Sequence, residues 1–481
     1  MYTRLLFAVL LFAVPFVLAQ GLPELGEPAQ AALTSSQERL LGQSIMKEAR
    51  RDPDYYDDAE VTDYVTRVGN RLAASGSDTR QAFEFFLMRD PQINAFALPG
   101  GHIGMHTGLV LAAQSESEMA GVLGHEIAHV TQRHIARMVS NQQANQWVSL
   151  AAFAIAILAA RSNSQISEAA IAAGPALAIQ QQLNFSRDFE READRVGLQT
   201  LEKAGFDPNA MALFFERMQR ATRLTEGAAP SYLRSHPLTY ERISDMQSRS
   251  ANLPYRQVAD PVEFHLIRAR LKAELEPART SVAYFREILS EKRYLSEAGA
   301  RYGLTDALLR FNDVAAARKE FIALKSVLKQ HPMVDLLGCR IKLAGGEVDA
   351  LTCFRDALQA YPNHRAIAYE YAEVLLQHRH PAEALKVAEA RLANSTGDYR
   401  LYQYQSRAYA MLNKQLAHHR AQAEAYLLLV STTAAVEQLQ LGLKAGDGDY
   451  YQMSAAEARL RELRRLDAEE RKDAGRKEAK P

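Results

Sequence analysis

From about residue 260 onward the chain repeats itself. Residues 331–364, HPMVDLLGCRIKLAGGEVDALTCFRDALQAYPNH, form a block of 34 residues, with small Gly338 in its first half, Ala350, Phe354 and Ala357 in its second, and Pro362 near its end. The block 365–398 carries Ala372 and Ala384 at matching offsets. Looser copies occupy 298–332, 399–426 and 416–449, the last two sharing a helix, and a further pair is expected at 264–290. Each block encodes two helices that cannot bury their apolar sides alone, so successive pairs must stack. That confines this half of the chain to a curved α-solenoid with a concave surface; an irregular helical bundle is the alternative, and the fixed period argues against it.

This is the tetratricopeptide pattern. Upstream the texture changes. Residues 35–76 read as helix, with Val61, Tyr64, Val65, Val68 and Leu72 at helical spacing. FEFFLM (83–88) and INAFALPGGHIGMHTGLVL (93–111) read as a small sheet with a tight turn at Pro99-Gly100-Gly101. Ser115 and Glu118 have capping-box spacing, so a helix is expected from there to about Ser140. Another is expected over 183–207, ending at Gly205. The apolar segment 147–160 is short for a bilayer span and reads as a buried helix or flap; peripheral contact with a membrane is the minor alternative.

At the N-terminus, Arg4, an apolar run from Leu5 and small Val17 and Ala19 have the layout of a secretory signal peptide cleaved after Ala19, which places the mature chain in the periplasm of a Gram-negative source. An uncleaved anchor is the alternative. Cys339 and Cys353 are the only cysteines, and an exported chain allows either one bridge or two small packing residues. The formal net charge is zero and no basic stripe appears, which excludes a nucleic-acid binder.

The densest chemistry lies in GVLGHEIAHVTQRHIARMV, residues 121–139. His125 and His129 are four apart, roughly 40° round a helix, so their imidazoles can converge on one ion. Glu126 flanks that face, where it can take a proton from a metal-activated water without being a ligand. Gly121 and Gly124 allow another element to approach closely. A catalytic zinc needs a third protein ligand and keeps one position open. His134, nine residues past His125, is expected to point away, as a surface or second-layer residue. His102 and His106 alternate onto one sheet face and suit packing or a substrate groove. Glu190 in DFEREADRVG is the better candidate; Asp194 shares its face while Glu192 points the other way. Spacing alone nevertheless favours a solvated acidic face pairing with Arg187, Arg191 and Arg195.

HEIAH, EREAD and NAFALPGGHIGMHTGLV together resemble the CAAX prenyl protease-like zinc metallopeptidases over roughly residues 35–250. The resemblance implies one zinc per chain held by His125, His129 and Glu190, with Glu126 as catalytic base. It implies a catalytic role for Asp194 as proton donor, with a role in orienting a ligand histidine as the rival. RSHP (234–237) followed by Tyr240-Glu241-Arg242 matches a further family element, so that His236 is a candidate fourth ligand or plug and Arg242 a catalytic oxyanion stabiliser. By residue type alone His236 is a loop histidine before proline. The family analogy also makes Asn94, Ala95, Phe96 and Ala97 an edge strand for an extended substrate.

The expectation is therefore a mainly α chain. A signal peptide (1–19) precedes a zincin-like α+β metallopeptidase domain with a small sheet (20–255), a tetratricopeptide α-solenoid (256–460) and a charged tail (461–481). The expected activity is zinc-dependent endopeptidase action on unfolded or misassembled polypeptides. By resemblance the setting is quality control and assembly of outer-membrane β-barrel proteins, with docking to the barrel assembly machinery through the repeats. The rival is a chaperone or scaffold with a latent or plugged zinc site.

Overall fold

The computed structural model describes residues 33–76, 81–140, 187–224, 231–253, 256, 258–429 and 431–478. The expected leader at 1–19 and the apolar segment 147–160 lie outside these. Among the described residues no helix is long and apolar enough to cross a membrane.

The N-terminal half is built round a small sheet. Helix α1 (Ser35–Ala49) opens with a capping box between Thr34 and Gln37. Helix α2 (Ala59–Ser75) is capped by Asp58, and its stripe of Val61, Tyr64, Val65, Val68 and Leu72 is buried as the spacing predicts. Strands β1 (Glu84–Met88), β2 (Ala95–Leu98) and β3 (His102–His106) form a sheet of order β1-β3-β2. β1 runs parallel to β3 and β2 antiparallel, with Ala97 opposite Ile103. The turn between β2 and β3 places Gly100 and Gly101 at φ 81° and 88°, a region open to glycine without steric cost. β2 is thus an edge strand. Residues 107–111, read above as part of the sheet, lie in a short helix, α3 (Thr107–Ala112).

Helix α4 (Glu116–Thr131) runs through the interior, with Ser115 Oγ accepting from the Glu118 N–H at 3.2 Å. Glu118 does not close the reciprocal half of the box; its carboxylate accepts from the Gln114 N–H and from Arg217. The helix does not continue to Ser140. Arg133 adopts φ 54°, its guanidinium donates to Leu33 O and Glu38, and the chain restarts as α5 (His134–Ser140). Helix α6 (Arg187–Lys203) crosses α4 where two glycines meet: a Cβ on Gly197 would lie 3.0 Å from the His125 amide nitrogen and 3.1 Å from Gly124. Gly121 plays the same part against Met211 of α7 (Asn209–Leu224). Helices α8 (Ser231–Ser235) and α9 (Tyr240–Ala251) complete this half.

The repeat half is a ladder of helix pairs: Val262–Leu275 with Ala278–Ser290, Glu297–Arg310 with Val314–Val327, Pro332–Ala344 with Ala350–Ala360, Arg365–Gln377 with Pro381–Leu392, Tyr399–Met411 with Gln415–Leu429, and Thr432–Ala445 with Tyr450–Glu478. The period sets the pairs as far as residue 429; the block expected over 416–449 instead joins Gln415–Leu429 to Thr432–Ala445, and the boundary expected at 460 falls inside the continuous last helix. Cys339 and Cys353 are bridged, tying together the two helices of one pair with their Cα atoms 5.5 Å apart. The change of architecture near 255 is no break in the core. Val65, Met119 and Phe214 share one apolar cluster with Phe264, Phe285, Tyr302 and Val334.

The first helices of four pairs converge on the start of α2. Arg270 binds Asp58 and approaches Glu60 at 3.3 Å, Arg340 lies 3.1 Å from Glu60, Arg365 lies 2.7 Å from Asp63, and Arg400 lies 2.8 Å from Asp57. The first helices of these four pairs are therefore engaged by the chain's own acidic segment, residues 57–63. Its far end returns to the beginning, with Lys47 and Glu470 3.8 Å apart.

Candidate metal centre

The close α4–α6 crossing allows the acidic face of α6 to reach the histidines of α4. Glu190 and Asp194 are buried there, where spacing alone favours a solvated face. His125 and His129 present their Nε2 atoms to each other at 3.0 Å. Glu190 lies 3.5 Å from His125 Nε2 and 3.4 Å from His129 Nε2. His236, just beyond α8, brings its Nδ1 to 2.9 Å from Glu190 Oε1 and 3.4 Å from His125 Nε2. One donor atom from each of the four lies within 4.8 Å of the others, and all four residues are buried. A tetrahedral ion with bonds of about 2.0–2.1 Å holds its ligand atoms about 3.3–3.4 Å apart, close to these separations.

The donor types also fit. Glu126, Glu190 and Asp194 are all buried here beside Arg242. Imidazole with carboxylate is a donor set suited to zinc. Burial disfavours charge on His125, but hydrogen bonds to Asp194 and Glu190 outweigh it and hold the imidazole up at about 9. His129 is driven the other way, chiefly by burial. Burial opposes ionisation of Glu190, and the three histidines around it overcome that and hold it well below the usual carboxylate range.

Glu126 lies beside the cluster, fully buried, with His236 Nε2 3.6 Å from Oε1. Neither oxygen makes a hydrogen bond of ordinary geometry among the described residues. Burial raises its affinity for a proton, only partly offset by His236, His125 and the Ala97 N–H that faces it from β2. A carboxyl group so placed is suited to accept a proton and pass it on.

Asp194 Oδ1 lies 3.0 Å from His125 Nδ1, and Asp194 binds Arg242 through both oxygens, at 2.6 and 2.8 Å. Those hydrogen bonds outweigh burial and hold its carboxyl below the usual range. Arg242 also donates to Pro237 O and lies 2.8 Å from Glu190 Oε2. Its guanidinium is turned toward these oxygens.

His102 and His106 stay outside the cluster. His102 pairs with Glu84 at 3.0 Å, and His106 lies 3.5 Å from Asp90 with its ring edge-on to Phe96. Asn94 O accepts the His106 N–H, which extends the ladder beyond β2. Tyr232, which the motifs do not single out, is stacked on His236 with ring centroids 4.7 Å apart and is fully buried. His134 is buried against His129 instead of pointing away, because the helix breaks between them.

The profile of peptidase family M48 matches residues 59–250. A Vibrio cholerae relative, provisionally named a beta-barrel assembly-enhancing protease, is 34% identical over 86% of this chain and 86% of its own. The chain belongs to peptidase family M48. The beta-barrel assembly-enhancing protease of Escherichia coli (strain K12) is 28% identical over 93% of this chain and 92% of its own. The mitochondrial metalloendopeptidase OMA1 of Schizosaccharomyces pombe is 32% identical over 44% of this chain and 60% of its own. This M48 chain is a metal-dependent endopeptidase with a helical repeat region behind its peptidase domain.

Proposed function

We propose that this M48 peptidase is an exported, periplasmic zinc endopeptidase that cleaves unfolded or misassembled polypeptides during outer-membrane β-barrel assembly. The names of its full-length relatives support that setting. The observation that carries the chemistry is the convergence of His125, His129 and Glu190 beside the buried carboxylate of Glu126. When bound, zinc acidifies a water and polarises a peptide carbonyl. Glu126 takes the proton from the attacking water and delivers it to the leaving amine. Asp194 orients His125, and Arg242 fixes Asp194 and Glu190. With its donors committed there, Arg242 acts on the ligands rather than on an oxyanion.

β2 supplies the substrate's binding edge. Its position at the sheet margin, with the Ala97 N–H facing Glu126, would lay an extended peptide alongside the base. His236 caps the donor cluster at rest and must withdraw before a carbonyl can enter. The repeats dock the barrel assembly machinery by surfaces other than the arginines that residues 57–63 already engage. The reading is tested by comparing wild type with Glu126→Gln on an unfolded protein, at matched metal content. Loss of cleavage in the variant is expected. Equal cleavage would leave the repeats as a scaffold and the site without a catalytic base.

A further inference from the structure

The back of the donor cluster holds a second polar chain. His134 Nδ1 lies 2.9 Å from His129 Nδ1, the nitrogen that faces away from Glu190 and His125. The other ring nitrogen of His134 lies 3.2 Å from Glu192 Oε2, and Arg137 Nη1 lies 2.8 Å from the same oxygen. The His134 ring is fully buried and packs flat on Phe189, with centroids 4.5 Å apart and an interplanar angle of 11°. All of this depends on the left-handed turn at Arg133, which folds His134 back onto the helix it follows. It also depends on α6 showing Glu190 to the front of the cluster and Glu192 to the rear.

The hydrogen bonds admit one consistent set of tautomers. A neutral imidazole that offers Nε2 to an ion carries its proton on Nδ1. His129 must then donate to His134 Nδ1, which accepts only if His134 carries its own proton on Nε2. That proton points at Glu192, whose charge Arg137 holds in place. His125 is fixed in the same manner from its own side by Asp194. Each paired histidine thus has its own orienting partner, supplied by a carboxylate of α6, directly in one case and through an imidazole in the other.

We infer that His134, backed by Glu192 and Arg137, is a positioning residue that sets the tautomer and ring orientation of His129 for metal binding. The inference rests on the reading of His129 as a ligand. Partners of this kind are worth 10–100-fold in metal affinity.

The test is chelator competition for zinc on the full chain, with thermal unfolding of the metal-free protein measured alongside. His134→Phe keeps a ring on Phe189 but removes the acceptor, and should weaken zinc binding about 10–100-fold while leaving metal-free stability close to wild type. His134→Gln retains an acceptor and should recover much of that loss. Cobalt substitution should show an altered ligand-field spectrum in the Phe variant and a near-native one in the Gln variant. Wild-type affinity in His134→Phe, alongside weakened binding in His129→Ala, would overturn the positioning role and leave the metal site standing. Equal losses in the Phe and Gln variants, with a destabilised metal-free fold, would overturn it in favour of packing. Unchanged affinity in His129→Ala would remove the ligand reading and this inference with it.

Discussion

Asp194 Oδ1 sits 3.0 Å from His125 Nδ1, one helical turn along from Glu190, and Arg242 holds it there through both oxygens. Arg242 and His125 outweigh burial and keep this carboxylate ionised below the usual range, which suits an orienting group and not a proton donor at neutral pH. Asp194→Asn should therefore lower metal affinity about 10–100-fold. At saturating metal its pH–rate profile should keep the wild-type limbs. A lost limb with intact metal affinity would restore the donor role.

Gly197 sets how near α6 comes to the histidine helix. Gly197→Val places a branched side chain where a single Cβ already approaches the His125 amide nitrogen at 3.0 Å. Overpacking of this kind costs about 1–3 kcal/mol, and separating the helices draws Glu190 off the cluster. The expected result is a lower urea midpoint together with lost metal; metal retained at full affinity would mean that the crossing is looser than the contact implies.

Glu60 is buried between Arg270 and Arg340, with Oε1 lacking a hydrogen-bond partner among the described residues. Burial outweighs both arginines and pushes its carboxyl from 4.5 up to about 7. Because the folded value is raised, its contribution is fully present below the unfolded value near 4.5 and is lost as pH rises through about 7. Glu60→Gln should flatten the stability profile across that window by about 2–3 kcal/mol. Arg340→Ala removes one of the two arginines that face Glu60 and should cost more at pH 8, where the carboxyl is ionised, than at pH 5. Urea titrations of both variants at pH 5 and pH 8 check the pair of expectations.

His236 closes the donor cluster with Nδ1 2.9 Å from Glu190, and the Tyr232 ring lies against it. Removing the cap while keeping His125, His129 and Glu190 should raise cleavage of an unfolded protein severalfold. Metal content should stay near wild type in His236→Ala. Unchanged metal content with unchanged cleavage would rule out a capping role.

Local spacing carried much of this. His125, Glu126 and His129 share a face because of helical geometry, and the period of 34 residues sets the helix pairs without reference to anything distant. The stripe on α2 and the glycine turn after β2 are likewise short-range. The placement of His134 was hidden because the break at Arg133 involves a left-handed residue that is not glycine, a conformation that nothing in TQRHIAR announces. Burial of Glu190 and Asp194 was equally invisible from their own helix, since it is created by α4 packing over them. The acidic segment 57–63 meets arginines some 200 to 340 residues away, and no local pattern encodes that pairing.

Metal analysis of purified, correctly processed protein, combined with anomalous diffraction at the zinc edge, is the most direct test. One zinc per chain is expected, centred among His125, His129 and Glu190, and lost in Glu190→Ala. Protein that carries no stoichiometric metal, or that keeps it at full affinity without Glu190, would contradict the account.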